Sequence, residues 1–289
     1  MARRCSDCRW RHVRNPYRVR LGEEQRTVGS WLSWLGQSGF LLEHQGVRMV
    51  IDPFLSETPG AMSPHFDVYD LGSVHWILST HEHLDHWDHE TIARLKEANP
   101  QARIVAPGHL RSRAADAGFL EEEFVVPSLT HPVHLTPDVA VQAVSAVHAV
   151  HSQDGYGSGE KDQFLGYILS LEGLTLYHSG DTILSQALLD RLMDAHIDIA
   201  MLPINGRDFF RDALDIVGNL GACEAVDLAG RIGASILIPM HYDAFAGNLG
   251  DVGQAARYAH ERWPYMTVAV LGYGQKWPME KPIALPHHR

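Results

Sequence analysis

The chain has 289 residues, of which 45% are hydrophobic and 20% charged. That balance excludes a disordered chain and supports a core that needs no staples. Lys and Arg number 24 against 35 Asp and Glu, and the net charge of −11 disfavours nucleic acid and anionic lipid as partners. No apolar run approaches the roughly 20 residues of a membrane span. Only three cysteines occur (Cys5, Cys8 and Cys223), which excludes a disulfide framework and fits a reducing cytoplasm.

Residues 1–28 read as a basic extension carrying Arg3, Arg4, Arg9, Arg11, Arg14, Arg18 and Arg20. It has no apolar stretch of the signal-peptide kind. Cys5-x-x-Cys8 is half a zinc knuckle with no second pair to complete it, so it reads as accidental. One domain is expected over residues 29–277, followed by a tail from 278 to 289. Its first elements are strands at 31–35, 39–43 and 47–51, the last two a hairpin that ends at Asp52-Pro53. A Pro-, Ser- and Gly-rich loop covers 54–72. The apolar run Val74–Ser79 has the composition of a buried strand.

After a cluster of histidines and acids, Asp88 caps a helix predicted over 89–98. Strands follow at 103–106, 124–126, 139–147, 164–171 and 174–178. Then come a helix at 184–195, a strand at 197–202, a helix at 223–232 closed by Gly233, a strand at 235–239, a helix at 252–262 and a strand at 267–271. The pattern is α/β: strands first, then strands alternating with helices.

The cluster is His81-Glu82-His83-Leu84-Asp85-His86. Residues i and i+2 of extended backbone point the same way, so His81 and His83 can grip one cation. Asp85 and His86, where the chain turns toward the helix, can hold a second. Glu82 points away from its neighbours and is read as structural. Four side chains cannot satisfy two ions, so further ligands are expected at other strand ends. Three segments offer them: Val147-His148-Ala149-Val150-His151-Ser152, Tyr177-His178-Ser179-Gly180-Asp181-Thr182 and Pro239-Met240-His241-Tyr242-Asp243.

HxHxDH, a later histidine, GDT and a final histidine together resemble the metallo-β-lactamase fold superfamily. Within it, the chain resembles the L-ascorbate-6-phosphate lactonase-like (UlaG-like) group through Trp34–Phe40, Ile51-Asp52-Pro53-Phe54, Leu202–Asp208 and Pro239–Asp243. The likeness covers about residues 30–275. It implies a four-layer αβ/βα sandwich, two mixed sheets with helices on the outer faces. It also implies two divalent ions, zinc or manganese with iron a further candidate. His81, His83 and a third histidine would bind the first ion, and Asp85, His86 and His241 the second, with Asp181 bridging. The third histidine is His151 or His148. Ser152 favours His151, because a small hydroxyl residue usually follows that ligand in the family, and His148 would then stand behind the ligands or on the substrate side.

Asp52 resembles the buried aspartate that steadies a ligand histidine in that family. His178 either orients the Asp181 turn or packs at a strand end. Asn205 and Arg207 follow another strand end, where an arginine could clamp an anion or simply pair with Asp208 or Asp212. Tyr242, beside His241, could donate to an oxyanion or only pack. The expected reaction is attack by a dimetal-bridged hydroxide on a lactone or other ester of an anionic small molecule, with Asp85 and Asp181 as the catalytic carboxylates. Phosphodiester cleavage, with the same ions, and a scaffold or sensor without turnover are the alternatives. A homo-oligomer is compatible with all three.

Overall fold

Residues 29–148, 163–213 and 218–280 are described by the computed structural model. The first half of the chain supplies β1 (Ser30–Gly36), β2 (Gly39–His44), β3 (Val47–Ile51), β4 (Trp76–Leu78), α1 (His89–Ala98), β5 (Arg103–Val105), α2 (Arg111–Asp116) and β6 (Phe124–Val125). The second half supplies β7 (Val133–Thr136), β8 (Val139–Ser145), β9 (Leu165–Leu171), β10 (Leu174–His178), α3 (Gln186–Met193), β11 (Ile199–Pro203), α4 (Phe209–Asp212), α5 (Ala222–Arg231), β12 (Ile236–Met240), α6 (Val252–Arg262), β13 (Thr267–Val268) and β14 (Trp277–Pro278).

Two seven-stranded sheets result, in the orders β14-β1-β2-β3-β4-β5-β6 and β13-β12-β11-β10-β9-β8-β7. Each is mixed in the same way. The first half is antiparallel as far as the β2–β3 pair and parallel from β3 to β6. The second half is antiparallel from β7 to β10 and parallel from β10 to β13.

Side-chain alternation explains the layers. Leu32, Trp34, Phe40, Leu42, Met49 and Ile51 face Val141, Leu165, Tyr167, Leu169, Leu176 and Met201 between the sheets. The intervening Leu41, Val50, Ile77 and Ile104 point outward, under Ile92 and Leu95 of α1. On the far side Ala200, Leu202 and Leu237 point outward against Leu188, Val226, Leu228 and Ala255 of α3, α5 and α6. Both faces of the central strands are therefore buried, which is why they read as continuous apolar runs. The expected four-layer αβ/βα sandwich is the architecture found.

Several elements differ from expectation. Strand β7 is flanked by Pro132 and Pro137 with His134 exposed, so it lacks a buried strand's signature. β14 joins the edge of the first sheet through Trp31↔Pro278 and Leu32↔Trp277, and Met279 is buried beyond it. Order thus runs past residue 277. The basic extension with Cys5 and Cys8, and His151, lie outside the described residues.

Candidate metal centre

Ligand-type side chains gather where β4, β8, β10 and β12 end. The loop after β4 folds back on itself, with the backbone N–H groups of His86 and Trp87 donating to His83 O at 2.9 and 2.7 Å. Ser79 Oγ holds the same loop by donating to His86 O at 2.8 Å. Asp88 then caps α1 and also accepts from Leu55 N and Ser56 N, which fixes the loop to its neighbour.

Asp181 rides on a turn that only glycine can make. Gly180 has φ +56, and a Cβ there would lie 2.6 Å from Leu165 O and 2.9 Å from Thr80 Cβ. His178 accepts the Gly180 N–H at Nδ1 and donates from Nε2 to Ser38 O at 2.9 Å. It therefore orients the turn from behind rather than merely packing. Thr182 Oγ1 accepts Val147 N–H at 3.1 Å, tying this turn to the residue just before His148.

Two groups of donor atoms result, each within 4.8 Å: His81, His83, His148 and Asp181, then Asp85, His86 and His241. In the first, His83 Nδ1 lies 3.1 Å from His81 Nε2 and 3.2 Å from His148 Nε2, which is 3.8 Å from Asp181 Oδ2. In the second, His241 Nε2 lies 3.1 Å from Asp85 Oδ2 and 3.3 Å from Asp181 Oδ1. His86 Nε2 lies 3.2 Å from that same Asp181 Oδ1. The two oxygens of Asp181 thus address different groups.

A metal fits this arrangement. A tetrahedral ion with bonds of about 2.0–2.1 Å spaces its ligand atoms about 3.3–3.4 Å apart, close to the separations found. Three imidazole nitrogens meeting in the first group cannot satisfy one another as hydrogen-bond partners. His86 Nε2 and Asp181 Oδ1 are both buried and face each other at 3.2 Å, with no solvent-exposed side. Phe164 packs against the rings of His81, His83 and His148 and keeps that side apolar.

Asp52 sets the tautomer of His86. Its Oδ2 lies 2.7 Å from His86 Nδ1 and accepts from Thr80 Oγ1, while Oδ1 accepts from Thr80 N. His86 Nδ1 then carries a proton and Nε2 is turned to the site. Strain gathers here too, since Gln37 (φ 48), Asp52 (φ 43) and His241 (φ 56) are non-glycine residues in the left-handed region.

Electrostatics separate the two groups. Burial pushes the His81 imidazole well below its ordinary range and His148 down to about 4, so both are neutral and ready to ligate. Burial also opposes charge on His86 and His241, but Asp181 and Asp85 outweigh it. His86 is held well above its ordinary value and His241 is raised to about 10. Burial works against ionised Asp85 and Asp181 too. The facing imidazoliums, with their hydrogen bonds, nevertheless keep both carboxyls below the usual range. Protons on His86 and His241 thus balance the carboxylates in the metal-free chain, and a cation would take their place.

Above the donor groups is a cavity of about 560 Å³, lined by His83, Asp85, His148, Asp181 and His241 and walled by Leu84, Phe245 and Asn248 among others. Arg207, Asn205 and Tyr242 stand outside that lining. Arg207 forks onto Glu224 at 2.7 Å through both terminal nitrogens. Asn205 stands behind the wall, donating to Asn248 Oδ1 at 2.8 Å. Tyr242 stacks on Trp34 with centroids 5.0 Å apart, a packing role. None of the three lines the cavity.

His148, expected behind the ligands or on the substrate side, stands among the donor atoms of the first group. Glu82 faces outward to Arg113, as its alternation implied.

Sequence reasoning gave no role to Gln37. It is buried, accepts the His241 N–H at its own carbonyl, and donates from Nε2 to Asp85 Oδ2 at 2.8 Å. A polar residue in a turn between two apolar strands, at the same end of the sheets as the donor groups, was the available signal.

The beta-lactamase superfamily domain model matches residues 31–241. The chain belongs to that superfamily. Among similar members are two proteins named UPF0173 metal-dependent hydrolase. One, from Pyrobaculum neutrophilum, is 31% identical over 216 residues, covering 74% of this chain and 84% of its own. The other, from Desulforamulus reducens, is 32% identical over 223 residues, covering 74% and 85%. Igni18, a metallo hydrolase of Ignicoccus hospitalis, superposes with a TM-score of 0.67 at 22% identity, over 87% of this chain and 98% of its own. An isothiocyanate hydrolase from Delia radicum gut bacteria does so with 0.67 at 17% identity, over 86% and 99%. Likeness at such identity establishes the fold alone. Membership among these relatives makes this superfamily member a metal-dependent hydrolase.

Proposed function

We propose that the chain hydrolyses a lactone or other ester of a small molecule at a dinuclear centre. The first ion would be held by His81, His83 and His148, the second by Asp85, His86 and His241, with Asp181 between them. The observation that carries this reading is the division of the two Asp181 oxygens between the donor groups. Zinc suits the imidazole-rich first group, while the carboxylate of Asp85 admits manganese or iron in the second.

Bound divalent cations supply a water with its pKa drawn toward about 7 and an electrophilic pull on the scissile oxygen. The residues do the rest. Asp181 and Asp85, held ionised, balance the charge of the centre and orient the attacking water. Phe164 excludes bulk water from the histidines, and Leu84 and Phe245 offer apolar contact to the organic part of a substrate. No Lys or Arg lines the cavity among the described residues, so an anionic group of the substrate would meet the cations rather than Arg207. The sparse cysteines, with Cys223 free, support a cytoplasmic setting.

The test loads the protein with zinc or manganese and assays γ-butyrolactone, p-nitrophenyl acetate and bis(p-nitrophenyl) phosphate, with and without a chelator. Metal-dependent turnover of the first two is expected. Turnover of the phosphodiester alone would make the enzyme a phosphodiesterase. Two bound ions with no turnover would leave the scaffold reading.

A further inference from the structure

The geometry points to Asn248 as the residue that recognises an acceptor oxygen of the substrate through its side-chain Nδ2, with Arg211 as the positioning residue behind it. This rests on the hydrolytic reading above and adds to it the chemistry of recognition.

Asn248 lines the same cavity as His83, Asp85, His148, Asp181 and His241. Its amide orientation follows from its partners. Arg211 Nη1 lies 2.8 Å from one side-chain atom of Asn248. A guanidinium only donates, so that atom must be the acceptor Oδ1. Asn205 Nδ2 donates to the same oxygen at 2.8 Å. With Oδ1 committed to two donors, the remaining end of the amide is the NH₂ group, which has no acceptor among the described residues.

Arg211 is itself locked. Its Nε donates to Asp208 Oδ2 at 2.6 Å, and Nη1 also reaches Asn205 O at 2.8 Å. The backbone of the segment is fixed at both ends, with Asn248 N donating to Phe245 O and Gly250 N to Tyr242 O. A Cβ on Gly250 would come within 2.8 Å of Ile204 O, so the segment is pressed onto the strand end below it.

If bracing were the whole purpose, an aspartate would serve better, since a carboxylate accepts from Arg211 and Asn205 and gains an ion pair. What an amide alone adds is a donor. A substrate with an acceptor oxygen within reach, the scissile carbonyl or an oxygen beside it, completes the bonding of Asn248. The Asn205 to Arg211 turn thus acts on substrate indirectly, through Asn248.

Asn248→Asp separates recognition from folding, because it keeps both braces and removes the donor. In zinc-loaded protein, kcat/KM for γ-butyrolactone and p-nitrophenyl acetate should fall by about tenfold or more in Asn248→Asp and Asn248→Ala. Metal content should stay at two ions. A fall in kcat places the contact on the reacting carbonyl, and a rise in KM places it on a non-reacting oxygen. Arg211→Met should show a similar loss, with no further loss when combined with Asn248→Ala.

The side-chain amide signal of Asn248 in ¹⁵N-labelled zinc protein, assigned by its absence from Asn248→Ala, should shift when 4-hydroxybutanoate is added. Unchanged kinetics in both Asn248 variants, or an unmoved amide signal, would overturn the assignment. A wild type that hydrolyses none of the probes counts against the hydrolytic reading itself. In that case the amide titration still decides Asn248, movement supporting it and none refuting it.

Discussion

Single side chains around the centre have separable duties. Asp52 touches no substrate, yet it keeps the proton of His86 on Nδ1. An amide at that position offers its own N–H to Nδ1 and promotes the wrong tautomer. Asp52→Asn is therefore expected to weaken metal binding by about 10–100-fold, as losses behind a ligand histidine usually do. Competition with a chromophoric chelator measures this; an unchanged affinity would refute the role. Among the described residues, Gln37 reaches the second donor group alone, through Asp85 and His241. Gln37→Ala should leave one ion tightly bound and the other easily stripped, which metal analysis after limited chelation would reveal. Equal loss of both ions would contradict that selectivity.

Which side chains were legible in the sequence follows from the same distinction. His81, His83, Asp85 and His86 are neighbours in the chain, so their spacing alone brings them together. His148 was not separable from His151, because its direction depends on Thr182 gripping Val147 from another strand end. Arg207 looked available because its partner, Glu224, lies on α5 and becomes a neighbour only after folding.

Among elements, the turn after β10 has the least freedom. Gly180→Ala combines a left-handed backbone with a Cβ pressed against Leu165 O and Thr80. A cost of about 1–3 kcal/mol is expected from the backbone alone, with loss of metal as Asp181 moves. Denaturant unfolding of the metal-free variant isolates the first effect and metal titration the second; a variant equal to wild type in both would refute the account. Long strands and helices were readable from periodicity. The short edge strands β7 and β14 were not, because their pairing is decided by the sheet they complete and not by their own residues.

The whole molecule should respond to pH through the centre. In the metal-free chain His86 and His241 are raised, His241 to about 10. A raised folded value means that stability is fully present below about 6.5 and is lost as pH climbs toward 10. His81 and His148 are depressed, the latter to about 4, so stability is also lost as pH falls from about 6.5 toward 4. Metal-free protein should therefore have its highest Tm near pH 6.5. Metal-loaded protein should lose the alkaline decline, because its histidines are already neutral. Thermal melts from pH 5 to 10, with and without chelator, test this. A metal-free Tm that keeps rising to pH 9 would contradict it.

The two sheets are built alike, but the donor groups belong to neither. Asp85 and His86 come from the first, His241 and Asp181 from the second. During synthesis the ribosome releases the HxHxDH loop long before β12 exists. An ion caught early would have too few partners to be kept. Hydrolytic competence therefore waits until β12 has been made and the two halves have closed. A truncated or half-folded product would lack a complete set of donor side chains.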